Sequence, residues 1–448
     1  MSKRLALPTI LAFVLLGAAC GEPPNGEIDF GSGRQFVPQV ADSIDDVGLG
    51  AALALDGDGT PFISYFGFPA VLAEGEIPVA RPVGAPFVPA VLLATQSDGV
   101  WNRGAAAMDR DAPDRVAVAF GPDTVESLSD ASPANTNGTD VAIGADGTMH
   151  VVWTGPDGIW YASGTDSFTA EKIISHLPAL SESGPLGWPA IAVDADGTPW
   201  VAATVTASDG GQEVVAATSR DGGWDVQTVA ELRPCKGCPP PARTGIAAGP
   251  DGPVVVYADP AGGGVMAARP LGRSWTTETV DGGADGTGIS IAAGEDGSMF
   301  AAYYASKGTV GLATSDGNGW NVTEAANLGS GDADGRSTGV AVADDGTVYL
   351  TYVDPGTGSV VLASSGTGGA GFEPIPTRAT EGGQWPAVDV TPDGATVSLA
   401  WYDPEAQDLA YATLADSTDL VLAAPSPPFA PASEAPGAGS DCSAETTD

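Results

Sequence analysis

Short apolar runs recur along the chain, each ended by glycine, proline or aspartate, and their alternation has the period of strands rather than helices. Seven Asp-Gly pairs punctuate them: Asp58-Gly59, Asp146-Gly147, Asp196-Gly197, Asp251-Gly252, Asp296-Gly297, Asp345-Gly346 and Asp393-Gly394. The last five glycine intervals are 50, 55, 45, 49 and 48 residues. One unit shows the content of the repeat. Thr244–Gly249 reads as an inner strand of small residues, and Pro250-Asp251-Gly252 as a tight turn in which glycine supplies positive φ. Pro253–Tyr257, Gly264–Arg269 and Ser274–Val280 follow as three more strands. A repeat near 50 residues built only of strands and turns predicts an all-β fold, a single β-propeller of four-stranded antiparallel blades.

The first two turn glycines lie 88 residues apart, nearly two units. A degenerate unit is placed there, with an inner strand at Ala105–Asp109 and a second strand at Arg115–Phe120. Eight blades are therefore expected, with seven as the alternative. The last unit supplies three strands, at Ala387–Thr391, Thr396–Tyr402 and Asp408–Thr413, and lacks a fourth. Arg34–Val40 is similar to fourth strands such as Trp224–Val229, so the N-terminal strand is expected to complete the last blade and close the ring. Aromatics late in the second strands, Tyr65, Trp153, Tyr257, Tyr303, Tyr352 and Trp401, are assigned to packing between sheets.

The turns between third and fourth strands read Ser97-Asp98-Gly99-Val100-Trp101, Ser219-Arg220-Asp221-Gly222-Gly223-Trp224 and Ser315-Asp316-Gly317-Asn318-Gly319-Trp320. They resemble shortened Asp-boxes of the sialidase and BNR-repeat propellers. The resemblance implies that Asp and Ser bond the turn while Trp packs beneath it, and it spans the whole repeat region. Sialidase catalysis does not carry over. No Arg-Ile-Pro motif opens the chain, and no Tyr–Glu nucleophile pair can be assigned beside Arg243 and Arg336.

The N-terminus sets the address. Lys3-Arg4, an apolar run from Leu5 to Leu16 and Gly17-Ala18-Ala19 describe a secretory signal at residues 1–19, too short for a membrane helix. Cys20 directly after it resembles a bacterial lipobox, in which the cysteine is lipidated; plain secretion is the alternative. Residues 20–33 then form a tether, 34–414 the propeller, and 415–448 a disordered Pro/Ala-rich tail. The expected location is extracytoplasmic, on a bacterial membrane through the lipid anchor alone, as a monomer. Cys235-Lys236-Gly237-Cys238 is read as a small disulfide staple. No redox or metal role is assigned to it, because neither a second CxxC nor a following His is present.

With 57 acidic and 17 basic residues the formal charge is −40, which repels phosphate backbones and excludes nucleic acid as a partner. Asp56-Gly57-Asp58 and Asp194-Ala195-Asp196 are similar to parts of calcium loops but lack the rest of an EF-hand ligand set, and turn chemistry accounts for them. No cofactor or metal is expected, with calcium as the alternative. Gly335–Gly339 matches GxSxG and Gly366–Gly371 matches GxGxxG, but neither sits at a strand-to-helix junction.

The long segments between elements map to the face opposite the Asp-Gly turns, called the loop face below. Trp188 and Trp385, each in a Trp-Pro-Ala run, and Arg243 and Arg336 lead into inner strands there. Asp259, Asp354 and Asp403 follow second strands onto the same face. Together they form the candidate ligand ring, set against the alternative that the tryptophans cap the core and the aspartates start turns. The expected function is non-catalytic binding of a glycan, peptide or envelope protein. The alternatives are a sialidase-like glycoside-processing enzyme and an acidic scaffold.

Overall fold

The computed structural model describes residues 34–43, 47–67, 90–97, 99–107, 138–155, 158–165, 168–175, 188–206, 211–220, 222–232, 244–259, 261, 263–306, 308–328, 337–367, 371–375 and 382–416. The regular elements among them are all strands, and they form seven four-stranded antiparallel sheets. Strand β1 (Arg34–Asp42) belongs to the last sheet. Blade one holds β2 (Val47–Leu55), β3 (Pro61–Gly67), β4 (Ala90–Ser97) and β5 (Val100–Ala107). Blade two holds β6 (Thr139–Ile143), β7 (Met149–Gly155), β8 (Gly158–Gly164) and β9 (Thr169–Ile174). Blade three holds β10 (Ala190–Val193), β11 (Pro199–Thr206), β12 (Gln212–Arg220) and β13 (Gly223–Leu232). Blade four holds β14 (Gly245–Gly249), β15 (Gly252–Asp259), β16 (Gly264–Leu271) and β17 (Ser274–Asp281). Blade five holds β18 (Thr287–Ala293), β19 (Met299–Ser306), β20 (Thr309–Ser315) and β21 (Trp320–Asn327). Blade six holds β22 (Gly339–Val342), β23 (Thr347–Val353), β24 (Val360–Thr367) and β25 (Glu373–Ile375). Blade seven holds β26 (Gln384–Val390), β27 (Val397–Asp403) and β28 (Asp408–Asp416), completed by β1.

The ring has seven blades, not eight. Ala105, assigned to an extra inner strand, continues β5 and pairs with Leu92 of β4. Blade two abuts blade one directly: Thr139 Oγ1 donates to the Gly50 carbonyl at 3.1 Å and lies 2.9 Å from Ser64 Oγ. No sheet fits between them. The long interval between turns misled the count because it was read as a unit, and its proposed second strand, Arg115–Phe120, lies outside the described residues. Closure follows the expected scheme. β1 pairs antiparallel with β28, bringing Gln39 opposite Tyr411 and Arg34 opposite Asp416.

Burial follows strand order. Second and third strands are buried on both faces, as in Val254–Ala258, whereas the fourth strand β17 alternates and shows one side to solvent. The second-strand aromatics Tyr65, Trp153, Tyr257, Tyr303, Tyr352 and Trp401 are all buried between sheets. In all seven Asp-Gly turns the glycine has φ between 72° and 106°, a region closed to most side chains. The aspartate then accepts the N–H two residues on, as Asp146 does from Thr148 (2.9 Å) and Asp345 from Thr347 (2.8 Å). These backbone bonds hold both carboxyls below the ordinary carboxylate range. In the calcium-like runs, Asp56 Oδ1 accepts from Asp58 and Thr60, and Asp194 Oδ1 accepts from Asp196 and Thr198, so the turn uses the carboxylates itself.

Two sets of bonds lock neighbouring blades. Near the axis, a threonine eight residues ahead of the turn glycine recurs in blades two, four and six. Thr139, Thr244 and Thr338 donate to the Gly50, Trp188 and Gly288 carbonyls of the preceding blade. At the outer rim, fourth-strand tryptophans donate an indole N–H to the preceding blade's fourth strand: Trp101 to Gln39, Trp224 to Glu171, Trp275 to Gln227 and Trp320 to Glu278. The third Asp-box-like turn matches the bonding that its resemblance implies, with Gly317 N–H on Ser315 Oγ and Asn318 N–H on Asp316 Oδ1.

The inner strands enclose an axial cavity of about 360 Å³. Asp389 of β26 faces it, and its Oδ2 accepts the Leu55 N–H of blade one at 2.7 Å, across the seam where the ring closes. Burial among the strands is the largest influence and pushes this carboxyl up to about 6, although the Leu55 and Val390 N–H bonds pull the other way. A carboxyl that binds its proton more tightly when folded adds stability as pH falls through that value toward its unfolded pKa of about 4, and loses it as pH rises again. Urea denaturation of wild type against Asp389→Asn should show wild type gaining on the variant as pH is lowered through this window. A stability difference independent of pH would refute the assignment. Thr338 is fully buried, and Thr338→Val should cost about 1–2 kcal/mol by denaturation, because it removes the hydroxyl's bonds to the Gly288 and Ala302 carbonyls and its contact with Ser290 Oγ. The same change at exposed Thr277 should stay within about 0.5 kcal/mol.

Candidate functional site

On the loop face the first strands begin and the second strands end. Trp188 leads into β10 and Trp385 lies in β26, in blades separated by two others, yet their rings meet with centroids 6.0 Å apart. Tyr402, at the end of β27, stacks on Trp385 at 5.7 Å. The reach of Trp188 depends on Gly138 of blade two. A Cβ there would stand 2.2 Å from the indole Cδ2, so only glycine lets the ring lie across the head of β6. Trp153 and Trp160 of blade two stack at 6.5 Å and join the same apolar cluster, with Lys172 Nζ 6.0 Å from the Trp160 centroid. Three blades thus build one aromatic cluster on the loop face. Trp188 and Trp385 are 9% and 5% exposed, so they serve as its buried base, while Trp160 is the half-exposed member.

Trp385 has φ +49°, which costs a bulky residue about 1–3 kcal/mol. Gln407, in the β27–β28 turn of the same blade, has φ +60°, and these are the two non-glycine residues with positive φ among the described residues. Three buried polar atoms of this face, Trp153 Nε1, Thr154 Oγ1 and Gln384 Oε1, have no hydrogen-bond partner among the described residues. Buried polar groups are normally satisfied, so each carries an unmet demand for a donor or acceptor.

The aspartates of the candidate ring turn out to organise their own loops. Asp259 Oδ1 accepts from Ala261 N–H (3.1 Å), Asp354 Oδ1 from Gly356 N–H (2.8 Å), and Asp403 Oδ1 from Glu405 and Ala406 N–H (3.0 and 3.1 Å). Blade seven adds carboxylates that the sequence reading passed over. Asp408 pairs with Asp403 across the β27–β28 hairpin, and Asp42, fully buried, accepts the Tyr65 hydroxyl at 2.6 Å. Burial first, then the charges of Asp403 and Asp42, push Asp408 up to about 7. Arg243, Arg336, Cys20, Cys235 and Cys238 lie outside the described residues. Trp188 and Trp385 are therefore brought together, and Asp259, Asp354 and Asp403 are spread around the face on separate blades.

Other chemistry-bearing motifs are absorbed by structure. Ser337 of the GxSxG match is buried, donates to the Thr338 carbonyl and leads into strand β22. His150 is bonded through Nδ1 to the Tyr161 hydroxyl at 2.6 Å, and burial lowers its pKa.

No protein-family model matches the sequence, and a comparison with curated proteins finds no match. Solved structures do match. An α-L-arabinanase from Penicillium chrysogenum, complexed with arabinobiose, aligns with TM-score 0.50 at 11% identity over 86% of this chain and 99% of that one. What they share is the propeller fold. A protein of unknown function from Dyadobacter fermentans aligns with TM-score 0.45 at 14% identity over 86% of this chain and all of that one. The Aleuria aurantia lectin aligns with TM-score 0.44 at 12% identity, covering 74% and 96%.

Removing the base of the aromatic cluster should unfold the fold before it alters chemistry. Trp188→Ala is expected to cost about 3–5 kcal/mol, because the hole it leaves is bounded by Gly138 and Trp385. Gly138→Ala should destabilise comparably through the clash with the indole. Thermal unfolding of both variants close to wild type would show that the two rings do not close the face.

Proposed function

We propose that the propeller is a glycan-binding module of a lipid-anchored, extracytoplasmic protein, and that the loop face over blades seven, two and three is its binding surface. The observation that carries this reading is the cluster of Trp385, Tyr402, Trp153, Trp160 and Trp188, held together at a strained Trp385 and beside buried polar atoms that lack partners among the described residues. Flat aromatic faces stack on the C–H surface of a sugar ring, and a few fixed polar atoms orient its hydroxyls. Strain at a bulky residue persists only where surrounding packing enforces it, which suits a preformed surface. The arabinanase that shares the fold is described in complex with arabinobiose. The Asp-box-like turns agree with a scaffold of the sialidase and BNR type. Anchorage rests on the signal-like segment 1–19 and Cys20, with plain secretion as its alternative.

A second reading, glycoside processing, is favoured by one feature. Asp408, held protonated up to about pH 7, stands across a hairpin from Asp403 on the same face. An acid with a raised pKa beside a second carboxylate is the arrangement that glycoside cleavage uses.

Glycan-array binding of the mature chain, compared with Trp160→Ala, tests the first reading. Trp160 is half-exposed, so its loss should weaken glycan binding about tenfold while the melting temperature shifts little. A folded wild type that binds no glycan, or a variant that binds equally well, would sink the proposal. Turnover of fluorogenic glycosides tests the second. Activity should fall as pH rises through about 7 and vanish in Asp408→Asn. Cys20→Ser should move the protein from the membrane fraction to the soluble extracytoplasmic one, and unchanged fractionation would remove the anchor.

A further inference from the structure

The rim clasps do not run all the way round. In each clasp the acceptor stands three residues after the aromatic of its own fourth strand, as Gln227 follows Trp224 and Glu278 follows Trp275. Both halves are missing at three seams: Gly104 and Phe168 stand in these positions between blades one and two, Thr323 and Phe372 between five and six, and Ile375 and Phe36 between six and seven. Blade six also has the short fourth strand β25, three residues long. Of these seams, the one between blades five and six opens on the Asp-Gly-turn face as a cleft of about 740 Å³, within the range of sites that take ligands.

The walls of this cleft have a definite chemistry. Glu295, Asp296 and Asp316 come from blade five, Asp344 and Asp345 from blade six, and the half-buried Trp320 forms one side. Among the described residues no lysine, arginine or histidine lines it. Asp296 and Asp345 are held below the usual carboxylate range by hydrogen bonds from Ser298 and Thr347. Among the described residues no group of three or more acidic, His or Cys side chains is gathered closely enough to hold a metal ion. Carboxylates too dispersed to chelate one ion, yet sharing one cleft, suit a ligand whose positive charges are themselves spaced. A planar guanidinium can also lie on an indole face while bonding a carboxylate at its edge.

We propose that this cleft is a docking site for a Lys/Arg-rich peptide segment of a partner protein, separate from the loop face and on the opposite side of the propeller. Charge complementarity sets the choice of occupant: the chain carries 57 acidic residues, and the cleft gathers five of them with no compensating cation among the described residues.

The test uses the mature chain, with hexa-arginine and a chitosan oligomer as probes, by calorimetry at low and at physiological ionic strength. The variant is Glu295→Gln with Asp344→Asn, two exposed residues. The control is Glu231→Gln with Glu405→Gln, which removes the same charge from exposed positions elsewhere. Hexa-arginine should bind wild type, weaken with salt, and lose about tenfold affinity in the cleft variant while the control changes less than about twofold. Equal losses in both variants would show binding by net charge alone and overturn the site. So would absence of hexa-arginine binding at low salt. Chitosan binding that is tighter than hexa-arginine and lost with the cleft pair would replace the peptide with a saccharide.

Discussion

Seven inner strands have to converge on one axis, and the rest of the molecule depends on the bonds that hold them there. The crowding demands small or short residues along β14, β18 and β22, and it leaves little room for side chains to bridge the blades. The threonine latches answer this with a hydroxyl that reaches only as far as the preceding blade's carbonyl. Because they recur in alternate blades, seams without a latch need other partners. Asp140 bonds the Ile191 N–H between blades two and three at 2.9 Å, and Asp389 bonds Leu55 at the closing seam. A carboxylate is a costly group to enclose, and its use at closure shows how strongly that seam must be specified.

The features legible in the sequence were those with a local physical signature. Each Asp-Gly turn announces itself because a left-handed residue must be glycine and because aspartate can bond its own turn. The closing strand was legible because Arg34–Val40 is similar to fourth strands such as Trp224–Val229 and the last unit lacked a fourth strand. The blade number was not legible from spacing alone: a long connection and a worn repeat look the same until Thr139 is seen bonded to Gly50. The rim clasps leave a signature too, an aromatic with Gln or Glu three positions on, but its meaning lies between blades rather than within one.

The loop-face cluster lies at the other extreme. Trp188 and Trp385 shared a Trp-Pro-Ala run, which fixed their place in the repeat and said nothing of contact. Their meeting requires two blades between them to leave the space free, and Gly138 does so without any mark that separates it from a turn glycine. Asp408 was passed over for a similar reason. Its raised pKa comes from enclosure and from carboxylates on two other strands, Asp403 and Asp42, which only the closed blade brings together. The charged ring expected from Asp259, Asp354 and Asp403 reads locally as turn chemistry, and the structure gives each of them that task.

The pairing of Arg34 with Asp416 puts the first and last residues of the closed ring side by side at one corner of blade seven, on the edge that carries the Asp-Gly turns. Both ends of the described ring therefore lie on the edge opposite the aromatic surface. A propeller held at that corner would face its tryptophans away from the point of attachment, like a dish on a stalk.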